Sequence, residues 1–134
     1  MIVRFTIPGE PFGKQRPRHL KNGHTYTPRQ TTDHETAIKY EYRRQCGYRF
    51  PTGAYISIGV IAFYKIPSSA TKSAKGKMLA GTVLPSVKPD VDNVLKLIMD
   101  ALEGECYGND KNVINAQIRK EYSENPRTEV YLWD

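Results

Sequence analysis

The run Ala54-Tyr55-Ile56-Ser57-Ile58-Gly59-Val60-Ile61-Ala62-Phe63-Tyr64 limits the fold more than any other stretch. It is rich in β-branched and aromatic residues, and Ile56, Ile58, Val60 and Ala62 share one face at period two. A strand this apolar belongs at the centre of a sheet, so the remaining elements have to be arranged around it.

Their signals follow in order along the chain. Ile2-Val3-Arg4-Phe5-Thr6-Ile7 alternates apolar and polar residues and is closed by Pro8-Gly9, which predicts a first strand without a preceding tail. Pro11 to Pro28 carries prolines at 11, 17 and 28 and is expected as a loop. From Thr31 or Thr32 to Cys46 the composition is helical, with Asp33 and Glu35 near the start, Arg43 and Arg44 near the end, and Gly47 as a stop. Pro67 to Lys88 is lysine-rich and mobile in expectation, with a short helix over Ser69 to Ala80 stopped by Gly81. A helix follows Pro89 and closes at Glu103-Gly104. After the turn Tyr107-Gly108-Asn109-Asp110 come two strands, Val113 to Tyr122 and Glu129 to Trp133, joined through Ser123-Glu124-Asn125-Pro126. The sequence has no internal repeat. With 134 residues there is room for one compact domain, predicted as α+β with a mixed sheet and helices mainly on one face.

The formal net charge of +6 favours a polyanionic partner over a small neutral ligand. No acidic residue occurs between Glu41 and Asp90, an interval that holds Arg43, Arg44, Arg49, Lys65, Lys72, Lys75, Lys77 and Lys88. Asp90, Asp92, Asp100, Glu103, Glu105 and Asp110 then arrive together. A surface that binds a polyanion around a pocket that holds a cation requires this division. Lys14-Gln15-Arg16-Pro17-Arg18 adds three cations on a proline-stiffened segment, suited to phosphate because little freedom is lost on engagement. A solvated basic loop would show the same pattern.

Cys46 and Cys106 have no metal-like spacing with His19, His24 or His34 and are expected as free thiols in a reducing compartment. No apolar run approaches the ~18 residues of a spanning helix, and the N-terminus carries no secretory pattern, so a cytoplasmic protein without membrane attachment is expected. The tyrosines and Trp133 could stack on bases, but scattered tyrosines also sit at core edges with a bonded hydroxyl.

The chemistry is expected at Lys88-Pro89-Asp90-Val91-Asp92-Asn93-Val94-Leu95-Lys96-Leu97-Ile98-Met99-Asp100. Pro89 disfavours helix at Lys88, making Asp90 or Asp92 the N-cap. At about 100° per residue, Val94, Leu95, Leu97, Ile98, Ala101 and Leu102 form the packing arc, and Asp92, Lys96, Asp100 and Glu103 the charged one. Asp92 to Lys96 and Lys96 to Asp100 are i, i+4 pairs, so the lysine is expected between two carboxylates. Helix capping and ordinary surface ion pairs account for this local pattern as well as catalysis does. A calcium loop is excluded, since Val94 and Leu95 stand where a third ligand and a glycine are needed.

Pro89-Asp90-x-Asp92-Asn93-x-x-Lys96, then Asp100-Ala101-Leu102-x-Gly104, then Asn109-Asp110-Lys111-Asn112-Val113 resembles the RusA family of Holliday junction resolvases of bacteria and their prophages. The opening Lys14-Gln15-Arg16-Pro17-Arg18 and Tyr26-Thr27-Pro28 resemble it too, and the likeness covers most of the chain. By that resemblance Asp90, Asp92 and Asp110 correspond to the metal-binding carboxylates and Lys96 to the active-site lysine. The family's paired acids in the turn are here Asn109-Asp110, and Asn109 could ligate only through its amide oxygen. The resemblance implies a homodimer that nicks a four-way junction symmetrically, whose two-fold symmetry matches that of the substrate. It also implies Mg²⁺, with Mn²⁺ able to substitute, to stabilise charge on the phosphate and activate water.

In this reading Lys96 faces the scissile phosphate and Asp100 is a supporting ion-pair partner. Lys14, Arg16, Arg18, Lys72, Lys75, Lys77 and Lys88 are the expected DNA contacts. A flap- or fork-cutting nuclease could use the same ligands, and a non-catalytic basic DNA-binding module would use the aspartates only as caps.

Overall fold

A computed structural model describes residues 1–134. The elements are β1 (Ile2–Pro8), the short hairpin strands β2 (Arg18–His19) and β3 (Thr25–Tyr26), α1 (Arg29–Gln45), β4 (Ile56–Lys65), α2 (Lys72–Leu79), α3 (Val91–Leu102), β5 (Val113–Ser123) and β6 (Arg127–Trp133). A single 3₁₀ turn over Asp110–Asn112 leads into β5.

The main sheet has the order β1-β6-β4-β5. β6 is antiparallel to both β1 and β4, while β4 and β5 run parallel from the Ile56–Val113 pair. The strand expected to be central is thus an interior one, and the sheet is mixed. A parallel pair needs a long crossover connection. That crossover carries α2 and α3, and α3 runs back along the sheet from the carboxyl end of β4 toward its start.

Strict alternation decides which face is covered. Ile56, Ile58, Val60, Ala62 and Tyr64 of β4 are buried while the residues between them are partly exposed. Val3 and Phe5 of β1, together with Val130 and Leu132 of β6, point the same way. Against them pack Ile38 and Tyr42 of α1 and Val94, Leu97, Ile98, Ala101 and Leu102 of α3, all within one core cluster. Leu97 is only 2% exposed, so Leu97→Ala would cost about 2–5 kcal/mol. Because this core fixes α3 along one side, its charged stripe is held rigidly outward. The α+β single domain with helices on one face is what the residue pattern predicts. No helix is long and apolar enough to cross a membrane.

The boundaries differ for local reasons. α1 begins at Arg29, ahead of Thr31, because Thr31 is buried and its hydroxyl accepts from the Gln15 backbone N–H at 3.1 Å instead of capping. α2 begins after Thr71, whose side chain accepts from the Ala74 N–H. β6 starts at Arg127, two residues before Glu129, because it has a partner on each side from that point. β2 and β3 fall within the expected loop and pair through only two residues each. Both cysteines are free thiols, and burial pushes the Cys106 thiol up to about 11.

Candidate active site

Two side chains from the sheet hold the backbone that delivers Asp90. Tyr64, at the carboxyl end of β4, donates its hydroxyl to the Pro89 carbonyl at 2.6 Å. Lys120 of β5 donates to the Val87 carbonyl at 2.5 Å and lies 5.1 Å over the Tyr64 ring. Burial first, then the negative charge of Asp90 and Glu10, pushes the Tyr64 phenol up to about 12. It therefore stays a neutral donor across the physiological range.

Asp90 occupies the N-cap position of α3 but makes no side-chain capping bond. An N-cap aspartate ordinarily accepts from an amide in the first turn; here the exposed carboxylate is left to solvent. Asp92 and Lys96 are also exposed, and neither takes part in any ion pair of the molecule. Neither expected i, i+4 pair is formed, and Asp100 is taken by another cation.

That cation is Lys14. Its ammonium hydrogen-bonds to Asp100, stands 3.9 Å from Glu35, and has its pKa raised chiefly by the Asp100 hydrogen bond. The Lys14 backbone N–H donates to the Asn93 carbonyl at 2.9 Å. Beside it Gly13 lies so close to α3 that a Cβ there would meet the Pro89 Cβ at 2.8 Å and the Asn93 Cβ at 3.1 Å. Phe12 stacks on His34 of α1 at 3.7 Å between ring centres. The loop therefore lies flat against both helices.

Between the loop and the start of α3 is a polar cleft of about 680 Å³ lined by Gln15, Arg16, Lys88, Pro89, Asp90 and Asn93, among others. Arg16 and Lys88 are exposed and have no ion-pair partner. The cleft thus has two cations and Asp90 in its lining.

Asp110 sits elsewhere. The buried Tyr107 packs at the carboxyl end of α3, with its hydroxyl 2.9 Å from the Met99 carbonyl and 3.1 Å from Asp110 Oδ1. Asp110 lies close enough to Glu103 to push the Glu103 carboxyl above its ordinary value, with Asp100 adding to the effect. Asp90 and Glu103 bracket α3, about 20 Å apart at 1.5 Å per residue. The three aspartates Asp90, Asp92 and Asp110 do not close around a single point, and no group of three acidic, histidine or cysteine side chains in the molecule could hold a metal ion together. The turn Gly104–Gly108 returns the chain to the end of α3 at which it left, which spacing in the sequence does not reveal.

The oxygen donors still suit a hard cation in a more open mode. Mg²⁺ binds through one or two carboxylates together with water and phosphate oxygens, and Asp90 and Asp92 are exposed acids without protein partners.

Comparison with known proteins shows the family. The family model described as endodeoxyribonuclease RusA matches residues 8–132. The chain belongs to the RusA endodeoxyribonuclease family. A relative, the uncharacterized protein YqaN of Bacillus subtilis (strain 168), is 33% identical over 135 residues, covering 97% of this chain and 94% of its own. The RusA-family match spans the basic loop, the cleft, all of α3 and the Asp110 turn.

Of the expected DNA contacts in this RusA-family chain, Arg16 and Lys88 line the cleft, while Arg18 is exposed on β2. Lys72, Lys75 and Lys77 are exposed on α2, which buries no residue, and Lys75 pairs with Glu124 at 2.5 Å. Lys14 faces carboxylates. Tyr64, Lys120, Tyr107, Gly13 and Glu35 support the site without standing out in the sequence. Only Gly13, beside the first cation of the basic loop, carried a local hint.

Proposed function

We propose that the protein is a metal-dependent endonuclease that resolves four-way DNA junctions by paired symmetric nicks, working in DNA recombination and repair as a cytoplasmic homodimer on branched DNA. The observation that carries this reading is the state of the N-terminal end of α3. Asp90 makes no capping bond, Asp92 and Lys96 have no ion-pair partner, and Arg16 and Lys88 face the same cleft. A module that used these aspartates only as caps would have Asp90 bonded to the first-turn amides.

Asp90 and Asp92 would hold Mg²⁺, or Mn²⁺ in its place. When bound, the ion supplies charge stabilisation at the phosphate and lowers the pKa of an attacking water. The protein's own groups do the rest. Arg16 and Lys88 draw the phosphodiester into the cleft by charge. Lys96, one turn beyond Asp92, presents an ammonium along the same stripe, where it stabilises negative charge developing on the phosphate or the leaving oxygen. Tyr64 and Lys120 hold the Val87–Pro89 backbone, so that Asp90 is presented from a fixed segment. Asp110, oriented by Tyr107, is the further acid of the site at the opposite end of the stripe. A two-fold dimer carries one such stripe per subunit and so matches a substrate that needs two cuts.

The test is cleavage of a four-way junction compared with linear duplex and flap substrates, with and without Mg²⁺. Paired nicks at symmetric positions of the junction support the reading. Cutting confined to flaps would assign the same residues to a different structure-selective nuclease.

A further inference from the structure

The basic loop holds one cation whose surroundings differ from those of its neighbours. Arg16 and Arg18 are exposed, whereas the Lys14 side chain is about one-fifth exposed, with its ammonium on Asp100 and 3.9 Å from Glu35. Its backbone N–H is bonded to Asn93 in α3. Lys14 thus engages α3 twice, through its main chain near the start of the helix and through its head two turns further on, and reaches α1 through Glu35.

The neighbouring residues share this orientation toward the helices. Gly13 packs on Pro89 and Asn93 at a separation that admits no Cβ, Gln15 bonds Thr31, and Phe12 stacks on His34. Immediately after these anchors the chain reaches Arg16, which lines the cleft together with Lys88 and Asp90. A lysine head held by two carboxylates of its own protein is poorly placed to neutralise phosphate. Charge alone marks Lys14 as a DNA-binding residue; its partners do not.

We infer that Lys14 is a positioning residue: it fastens the segment from Pro11 to Arg16 along α3 and α1, and so sets the opening of the cleft in which Arg16 and Lys88 take a DNA phosphate beside Asp90. The inference rests on the nuclease reading above for what enters the cleft, and on the Lys14–Asp100–Glu35 cluster for the fastening itself.

The two parts are separable by experiment. Junction binding is measured without divalent cation over a range of salt for the wild type, Lys14→Met, Lys14→Arg and Arg16→Met. Removing one cation that neutralises a phosphate lowers the slope of log affinity against log salt by about 0.9. Arg16→Met is expected to show about that decrease, and Lys14→Met to leave the slope unchanged. In Mg²⁺, Lys14→Met lowers kcat about tenfold by misplacing the loop, with KM little altered, and Lys14→Arg restores most of the rate. A slope reduced in Lys14→Met as much as in Arg16→Met would overturn the inference.

Hydrogen exchange at the Lys14 amide reads the fastening independently of DNA. It accelerates in Lys14→Met and in Asp100→Asn, and no further in the double variant. Unchanged exchange in Asp100→Asn would refute the clamp even where the nuclease reading stands. Accelerated exchange in a protein that never binds or cuts DNA would leave the clamp intact and remove the nuclease reading.

Discussion

The two ends of α3 carry similar residues in different surroundings. At the amino end Asp90, Asp92 and Lys96 are exposed, and none pairs with another side chain by charge. At the carboxyl end Asp100 is paired with Lys14 and Asp110 lies 3.1 Å from the Tyr107 hydroxyl, while Glu103 is exposed, has no ion-pair partner and is crowded by Asp110. Charges satisfied within the chain serve the fold, while charges left to solvent beside a basic cleft are available to a ligand. The amphipathic pattern puts both ends on one stripe and cannot distinguish them; only the positions of the basic loop and of the turn after α3 do.

The largest expected effect breaks the open end. Asp90→Asn and Asp92→Asn each lower cleavage by about 100-fold or more, the scale of losing a group that stabilises charge at the reacting centre. Junction affinity is retained or rises, because a repulsive charge is removed. Asparagine caps a helix about as well as aspartate, so thermal stability stays close to wild type, and a large fall in melting temperature would mark a structural role.

Next in size is the seat of the basic loop. Gly13→Ala places a methyl 2.8 Å from the Pro89 Cβ, and relieving that overlap costs about 1–3 kcal/mol. Denaturant unfolding measures the cost, and a reduced kcat in the same variant would tie the seat to the open end.

A smaller effect is expected at the satisfied end. Tyr107→Phe keeps the buried ring and removes only the hydroxyl between Met99 and Asp110, costing about 0.5–1.5 kcal/mol. Cleavage falls by less than in Asp90→Asn. An equal loss would show that Asp110 belongs functionally with the open end.

The smallest effect is in pH dependence. Arg43 beside Glu105 holds its carboxyl below the ordinary value of 4.5, and Arg44 does the same for Glu41. A depressed acid contributes stability that is complete above its unfolded pKa and is lost as pH falls through the folded one. Unfolding midpoints in Glu105→Gln should therefore lie slightly below wild type at neutral pH and converge with it in acid.

Much of this architecture is legible in the residues themselves. The alternation of Ile56 to Tyr64 gives an interior strand, and the spacing of Val94, Leu97, Ile98 and Ala101 gives the buried face of α3. Pro89 fixes the start of the helix and so the place of Asp90. What is not legible depends on pairings distant in sequence. Lys14 and Asp100 are 86 residues apart, and nothing in either segment announces the pairing that displaces the expected Lys96 ion pair. The hairpin β2-β3 is too short to leave a period. Asp110 reads as a companion of Asp90 and Asp92 in the motif, yet the packing of Tyr107 beneath α3 puts it beside Glu103.

The central claim, that the unpartnered acids at the amino end of α3 perform metal-dependent strand cleavage, is tested most directly on one four-way junction cut by the wild type and by Asp90→Asn, with and without Mg²⁺. The account predicts paired nicks only for the wild type and only with the metal, while both proteins bind the junction. Equal cleavage by Asp90→Asn, or wild-type cleavage unaffected by removing the metal, would contradict it.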